Sequence, residues 1–118
     1  ILPKEIILRK KIANNYNKLI AGNFNNIIIP FIGDFNNSVY AQYTIRTKNR
    51  KKIISNFKKN NIPYAIYYKL PAYKQKIFTG KKNILPNVEI LSKEVLSLPM
   101  HPYLSFKDQE KIVNLLAV

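Results

Sequence analysis

Cysteine is absent from this sequence, and that one absence removes disulfide frameworks, thiolate metal ligation and thiolate catalysis together. A single histidine, His101, leaves nothing from which to build a multi-histidine metal site. Long apolar runs are missing as well. The longest, Ile27 to Ile32, is interrupted by Pro30 and falls far short of the ~20 residues a membrane-spanning helix needs, so a soluble chain with no membrane partner is expected. Arginine is scarce: Arg9, Arg46 and Arg50 are the only ones among 20 basic residues. The opening residues, Ile1-Leu2-Pro3-Lys4, carry neither an initiator methionine nor a basic segment followed by an apolar stretch and a small-residue cleavage site. The chain is therefore expected to begin partway through a longer one.

What is present bounds the class. With 118 residues, 47% hydrophobic and 12% aromatic, the chain is long enough for one compact domain and too apolar to be disordered, despite a formal charge of +14. That charge has two readings. Lysine and arginine gain affinity for phosphates by releasing counterions, which points to nucleic acid or another anionic surface. Lysine, asparagine and isoleucine are abundant together, however, as A/T-rich codons produce, and drift in composition then accounts for the charge without a partner. Base reading and bidentate phosphate recognition favour arginine, the basic residue in short supply.

Periodicity supplies the elements. Ile6, Ile12, Ala13, Tyr16, Leu19 and Ile20 recur at helical spacing between Lys4 and Ala21, and Gly22 is the expected stop. Ile27 to Ile32 reads as a short buried strand closed by Gly33-Asp34. Ser38 to Arg46 alternates cleanly, with Val39, Ala41, Tyr43 and Ile45 on one face and Arg46 at the end of the polar one. Thr47 is positioned to cap a helix through Asn60, with Ile53, Ile54 and Phe57 inward and Lys51, Lys52, Lys58 and Lys59 outward. Tyr64 to Tyr68 reads as an aromatic strand running into an irregular loop, Lys69 to Gln75. Pro86 opens a short helix through Glu94. Leu96 to Tyr103 is proline-rich and reads as an extended edge or surface path. Ser105-Phe106-Lys107-Asp108 resembles a capping box and starts a last helix to about Leu116. The order predicts an α/β domain in which helices cover a small sheet.

Two stretches carry more than packing information: Ile62 to Gln75, containing Tyr67-Tyr68-Lys69-Leu70-Pro71-Ala72-Tyr73-Lys74-Gln75, and Glu94 to Leu104, containing Ser97-Leu98-Pro99-Met100-His101-Pro102. Together they resemble the DegT/StrS family of sugar aminotransferases. Arg9, Ile12-Ala13 and Tyr16 in the first helix, the Ser38 to Tyr43 segment and Arg50 extend the likeness over nearly the whole chain in the right order. Lys69, Ala72 and Tyr73 depart from the family pattern, in which proline, leucine and histidine are usual. Tyrosine at position 73 keeps a hydrogen-bonding tip without becoming a cation near neutral pH.

The resemblance implies the C-terminal small domain of a fold-type I aminotransferase, residues 1–118 forming a mainly antiparallel sheet covered by helices, with the large cofactor-binding domain elsewhere. It implies pyridoxal phosphate as cofactor, an amino-acid donor such as glutamate, and a nucleotide-linked keto sugar as acceptor. It also implies a cytoplasmic homodimer and a place in polysaccharide biosynthesis. The Schiff-base lysine then lies outside this chain, and no transaminase activity is expected of these residues alone. A sugar dehydratase of the same family and a basic nucleic-acid-binding module are the alternatives. Within the chain, Tyr67, Tyr68, Tyr73, Gln75, His101 and Arg46 are the candidate substrate-binding residues. Alternation along a strand lets only one of Tyr67 and Tyr68 face a cleft while the other enters the core, and the resemblance favours Tyr68 as the sugar-nucleotide contact with Tyr67 as its neighbour. His101 reads more readily as a ring holding a turn than as a proton carrier, and Arg46 more readily as a surface cation than as a partner of an anionic substrate group.

Overall fold

The structure is a computed structural model and describes residues 1–78, 80 and 85–118. Helix α1, Leu2–Asn23, begins with proline in its first turn, where the missing N–H is no loss and the fixed φ suits the helix. Ile12, Ala13, Tyr16 and Ile20 form its buried stripe. Gly22 does not stop it; the helix runs one residue further and ends where Phe24 turns extended, its N–H still reaching the Ile20 carbonyl at 2.9 Å.

The sheet is smaller than the alternating sequence suggests. Strand β1, Tyr43–Arg46, pairs antiparallel with β2, Val95–Leu98, with Tyr43 opposite Leu98 and Ile45 opposite Leu96. Single rungs flank the pair: Ile28 bonds Arg46 on one side, and Ala65 bonds Ser97 on the other. The expected strand at Ile27–Ile32 is thus reduced to one rung, with Ile27 buried and Phe31 90% exposed. The Ser38–Arg46 strand is shortened because Tyr40 takes a left-handed φ of 47°, which breaks the extended run before Tyr43; Val39 and Ala41 stay exposed instead of joining Tyr43 and Ile45. Conversely, Leu96–Leu98 is no edge. It lies between β1 and Ala65 and is fully paired, since Pro99 and Pro102 follow the strand and interrupt none of its bonds.

Helix α2, Arg50–Lys59, starts two residues later than a Thr47 cap predicts. Thr47 is buried, and its hydroxyl accepts the Asn49 N–H at 3.1 Å, making a turn ahead of the helix. The helix ends in a Schellman arrangement. Asn61 sits at φ 54°, the Ile62 N–H returns to the Phe57 carbonyl, and the Asn61 N–H returns to that of Lys58. Ile53 and Phe57 are buried, Ile54 half-buried, and Lys51, Lys52, Lys58 and Lys59 exposed, as the periodicity predicts.

A 3-10 turn at Ala72–Lys74 precedes α3, Pro86–Glu94, which runs directly into β2. Helix α4, Phe106–Asn114, is capped by Ser105, whose hydroxyl accepts the Asp108 N–H at 3.0 Å and donates to its carboxylate at 2.6 Å. The core gathers Tyr16 and Ile20 of α1, Tyr43 and Ile45, Leu96 and Leu98, Ile53 and Phe57, and Ile112, Val113 and Leu116. These inward residues of β1 and β2 share one sheet face. Thr44 and Ser97 share the other, joined hydroxyl to hydroxyl at 2.7 Å. No helix among the described residues is long and apolar enough to cross a membrane.

Candidate functional site

A cavity of about 370 Å³ opens beside β2, away from the core. One wall is the segment after Ala65: Tyr67, Tyr68, Leu70, Pro71, Ala72 and Gln75. The other is α3 and its exit, with Val88, Leu91, Ser92 and Val95. Val88, Leu91 and Ser92 share one face of α3, and Val95, the first residue of β2, continues the wall. A second cavity of about 250 Å³ adjoins Ala41, Gln42, Tyr64, Ser97 and Met100, and Tyr67 lines both.

The pairing of Ala65 with Ser97 explains how the tyrosines reach this position. Strand bonding stops after that single rung, so the chain leaves the sheet at Ile66. Neither tyrosine then enters the core, contrary to the strand alternation expected of them: Tyr67 is 49% exposed and Tyr68 75%. Their rings meet edge to face at 6.0 Å across a cis peptide bond, and the Tyr68 hydroxyl makes no hydrogen bond to any described residue.

Three of the six candidate residues, Tyr67, Tyr68 and Gln75, line the larger cavity together. Tyr73 is not among the lining residues; it follows Ala72, and its hydroxyl donates to Glu89. That bond pushes the Tyr73 phenol above its ordinary pKa, while the Lys74 ammonium and the same phenol hold the Glu89 carboxyl below its own. Glu89 carried no signal in sequence, since an acidic residue in a helix's first turn is ordinary. The remaining two candidates lie elsewhere. The Arg46 guanidinium is held by Glu94 at 2.6 Å, so its charge is committed at the end of β1. His101 is exposed, and its Nδ1 accepts the Tyr103 N–H at 3.3 Å, which is the turn-holding arrangement.

The other two arginines are committed as well. Arg9 donates to the Tyr40 carbonyl at 3.2 Å, and Arg50 to the carbonyls of Ser92 and Val95 at 2.7 and 3.1 Å. The described lysines are spread over all four helices and the loops between them. The cavity itself offers flat apolar walls, two phenol tips and one amide, a set suited to holding a ring system with hydroxyl groups rather than to nucleophilic chemistry.

Residues 2–117 match the DegT/DnrJ/EryC1/StrS aminotransferase family. The UDP-2-acetamido-2-deoxy-3-oxo-D-glucuronate aminotransferase of Pseudomonas aeruginosa is 40% identical over 88% of this chain and 28% of its own length. A pleiotropic regulatory protein of Geobacillus stearothermophilus is 34% identical over 92% of this chain and 30% of its own. Among solved structures, a DegT DnrJ EryC1 StrS aminotransferase from Brucella abortus superposes with a TM-score of 0.85 at 35% identity, covering 95% of this chain and 30% of that one. The chain thus spans about three tenths of the length of the relatives it matches. With a family match over nearly every residue and a fold shared at that level, the chain belongs to the DegT/DnrJ/EryC1/StrS aminotransferase family.

Proposed function

We propose that this chain is the C-terminal small domain of a pyridoxal-phosphate-dependent aminotransferase that moves an amino group from an amino acid, such as glutamate, to a UDP-linked keto sugar. The observation that carries the reading is the convergence of Tyr67, Tyr68 and Gln75 on one cavity within the stretch that resembles the family motif. The substrate class follows the Pseudomonas relative, whose name specifies a UDP-linked 3-oxo sugar. A cytoplasmic homodimer is part of the same proposal.

In this reading the chain's own residues bind and orient. The ring faces of Tyr67 and Tyr68 hold the flat portions of the ligand, the Gln75 amide bonds a hydroxyl or carbonyl, and Leu70, Val88 and Leu91 keep water from the apolar wall. Pyridoxal phosphate supplies the electron sink for amino transfer in such enzymes. The residues here do not fit its covalent site: no lysine lines the two cavities beside Tyr67, and the four that line a cavity of about 590 Å³ at the start of α2, Lys48, Lys51, Lys52 and Lys93, are all exposed. No step of the chemistry is assigned to them. The commitment of all three arginines to protein partners and the scatter of the lysines support this reading over a nucleic-acid module.

Titration of the 118-residue chain with UDP-N-acetylglucosamine, followed by amide chemical shifts, tests it. Saturable shifts confined to Tyr67–Gln75 and α3 are expected. Shifts centred on the lysine-rich α2, or none at millimolar ligand, would refute the proposal.

A further inference from the structure

We propose that Glu89 is a positioning residue that grips the lip of this cleft, holding the 3-10 turn Ala72–Lys74 against α3 and so fixing where Gln75 enters the cavity. The inference rests on the reading of the cleft as a substrate wall. The backbone bonds of the lip are all local: Lys74 N–H to Pro71, Gln75 N–H to Ala72 and Phe78 N–H to Gln75, at 2.9, 3.0 and 3.0 Å. They shape the turn without tying it to anything else. Among the described residues, Pro71 is buried at one end, and at the other the Glu89 carboxylate, with the Leu85 backbone beside the Tyr73 hydroxyl, ties the turn to α3.

The grip uses the whole carboxylate. The Tyr73 hydroxyl donates to Oε1, and the Lys74 ammonium lies 2.6 Å from Oε1 and 2.7 Å from Oε2. Beyond it Ile77 and Phe78 are exposed, so neither of these two side chains reinforces the turn by burial. Glu89 is itself fixed, since it belongs to the first turns of α3, where a carboxylate is favoured by the helix dipole. One side chain on a rigid helix thereby sets two consecutive residues of the lip, and Gln75 is the next residue along. Charge-assisted bonds of this kind bias a local open–closed equilibrium by about tenfold or more.

Hydrogen exchange on the 118-residue chain reads the lip directly, with no ligand needed. In Glu89→Ala, protection of the Lys74, Gln75 and Phe78 amides should fall about tenfold while α1 and β2 amides keep theirs. Tyr73→Phe should produce part of the loss and add nothing on top of Glu89→Ala. The charge swap Lys74→Glu with Glu89→Lys should recover part of the protection, which a merely local role for Glu89 in α3 would not allow. Unchanged protection in Glu89→Ala overturns the grip. UDP-N-acetylglucosamine affinity is then compared in the same variants. If the wild-type chain binds and Glu89→Ala weakens it about tenfold, the positioning role stands; if affinity is unchanged although the lip has loosened, it falls. If the wild-type chain does not bind, the substrate-wall reading fails and exchange alone decides the grip.

Discussion

Gln109 of α4 donates its side-chain amide to the backbone carbonyl of Ile12 in α1 at 2.8 Å, with both residues buried. The same amide's oxygen accepts from Asn15 at 3.2 Å, so one polar side chain stitches the last helix to the first across 97 positions. Replacing it with leucine keeps the volume but leaves the Asn15 amide without this acceptor. Gln109→Leu is expected to cost about 1–2 kcal/mol, roughly 3–8 °C in Tm for a domain of this size, measured by thermal and urea unfolding. An unchanged midpoint would mean that apolar packing compensates in full.

Arg50 is the second long-range stitch. From the first turn of α2 it bonds the carbonyls of Ser92 and Val95, which bracket the passage from α3 into β2. Burial lowers its pKa somewhat, and the guanidinium stays charged. Arg50→Met should destabilise the domain by about 1.5–3 kcal/mol, the range for hydrogen bonds to a charged donor. Arg50→Lys should recover only part of it, because an ammonium lacks the planar fork.

Tyr16 and Tyr43 stack with ring centroids 4.8 Å apart, and each phenol donates, to the Pro99 carbonyl at 2.9 Å and to the Asn17 side chain at 2.6 Å. Burial, with each phenol also feeling a neighbouring tyrosine, pushes both pKa values well above the ordinary tyrosine value. The folded state therefore retains protons that the unfolded chain releases near pH ~10. Stability is intact below that pH and declines as pH rises above it. A Tm profile from pH 8 to 11 should show the fall, and Tyr16→Phe, with one fewer retained proton, should flatten it. A flat wild-type profile would contradict the burial of these hydroxyls.

Tyr68→Phe separates function from packing. The hydroxyl is exposed and has no described partner, so unfolding midpoints should move by less than about 0.5 kcal/mol. Affinity for UDP-N-acetylglucosamine should fall by ~1 kcal/mol, about fivefold. Lost stability with unchanged affinity would remove Tyr68 from the substrate wall.

Local signals with a local mechanism were legible in the sequence. Pro86 and Ser105 mark the starts of α3 and α4, and the stripes of α1 and α2 fall on buried or half-buried positions. Strand extent was not legible, because alternation reports what suits an extended chain and not whether a neighbour exists to bond it. Ile27–Ile32 and Tyr64–Tyr68 each found one rung, and nothing in the Ser38–Arg46 composition announces the positive φ at Tyr40. Leu96–Leu98 departs in the other direction, pairing as an interior strand because its prolines lie just beyond the paired residues. At the site, the motif brought Tyr67, Tyr68 and Gln75 to notice, whereas the α3 wall and Glu89 are known only from folding. Arg46 and His101 found partners close by in three dimensions, and those partners hold them away from the cavity.

The single rung between Ala65 and Ser97 has a consequence for how such a domain diversifies. Past that rung the chain from Tyr67 to Phe78 leaves the sheet and contributes no residue to the hydrophobic core. Insertions, deletions or wholesale replacement between Lys69 and Phe78 therefore meet little thermodynamic resistance from the core. The proposed recognition wall thus lies at the edge of the scaffold, open to change for another ligand while α1, α4 and the β1–β2 pair keep the domain folded.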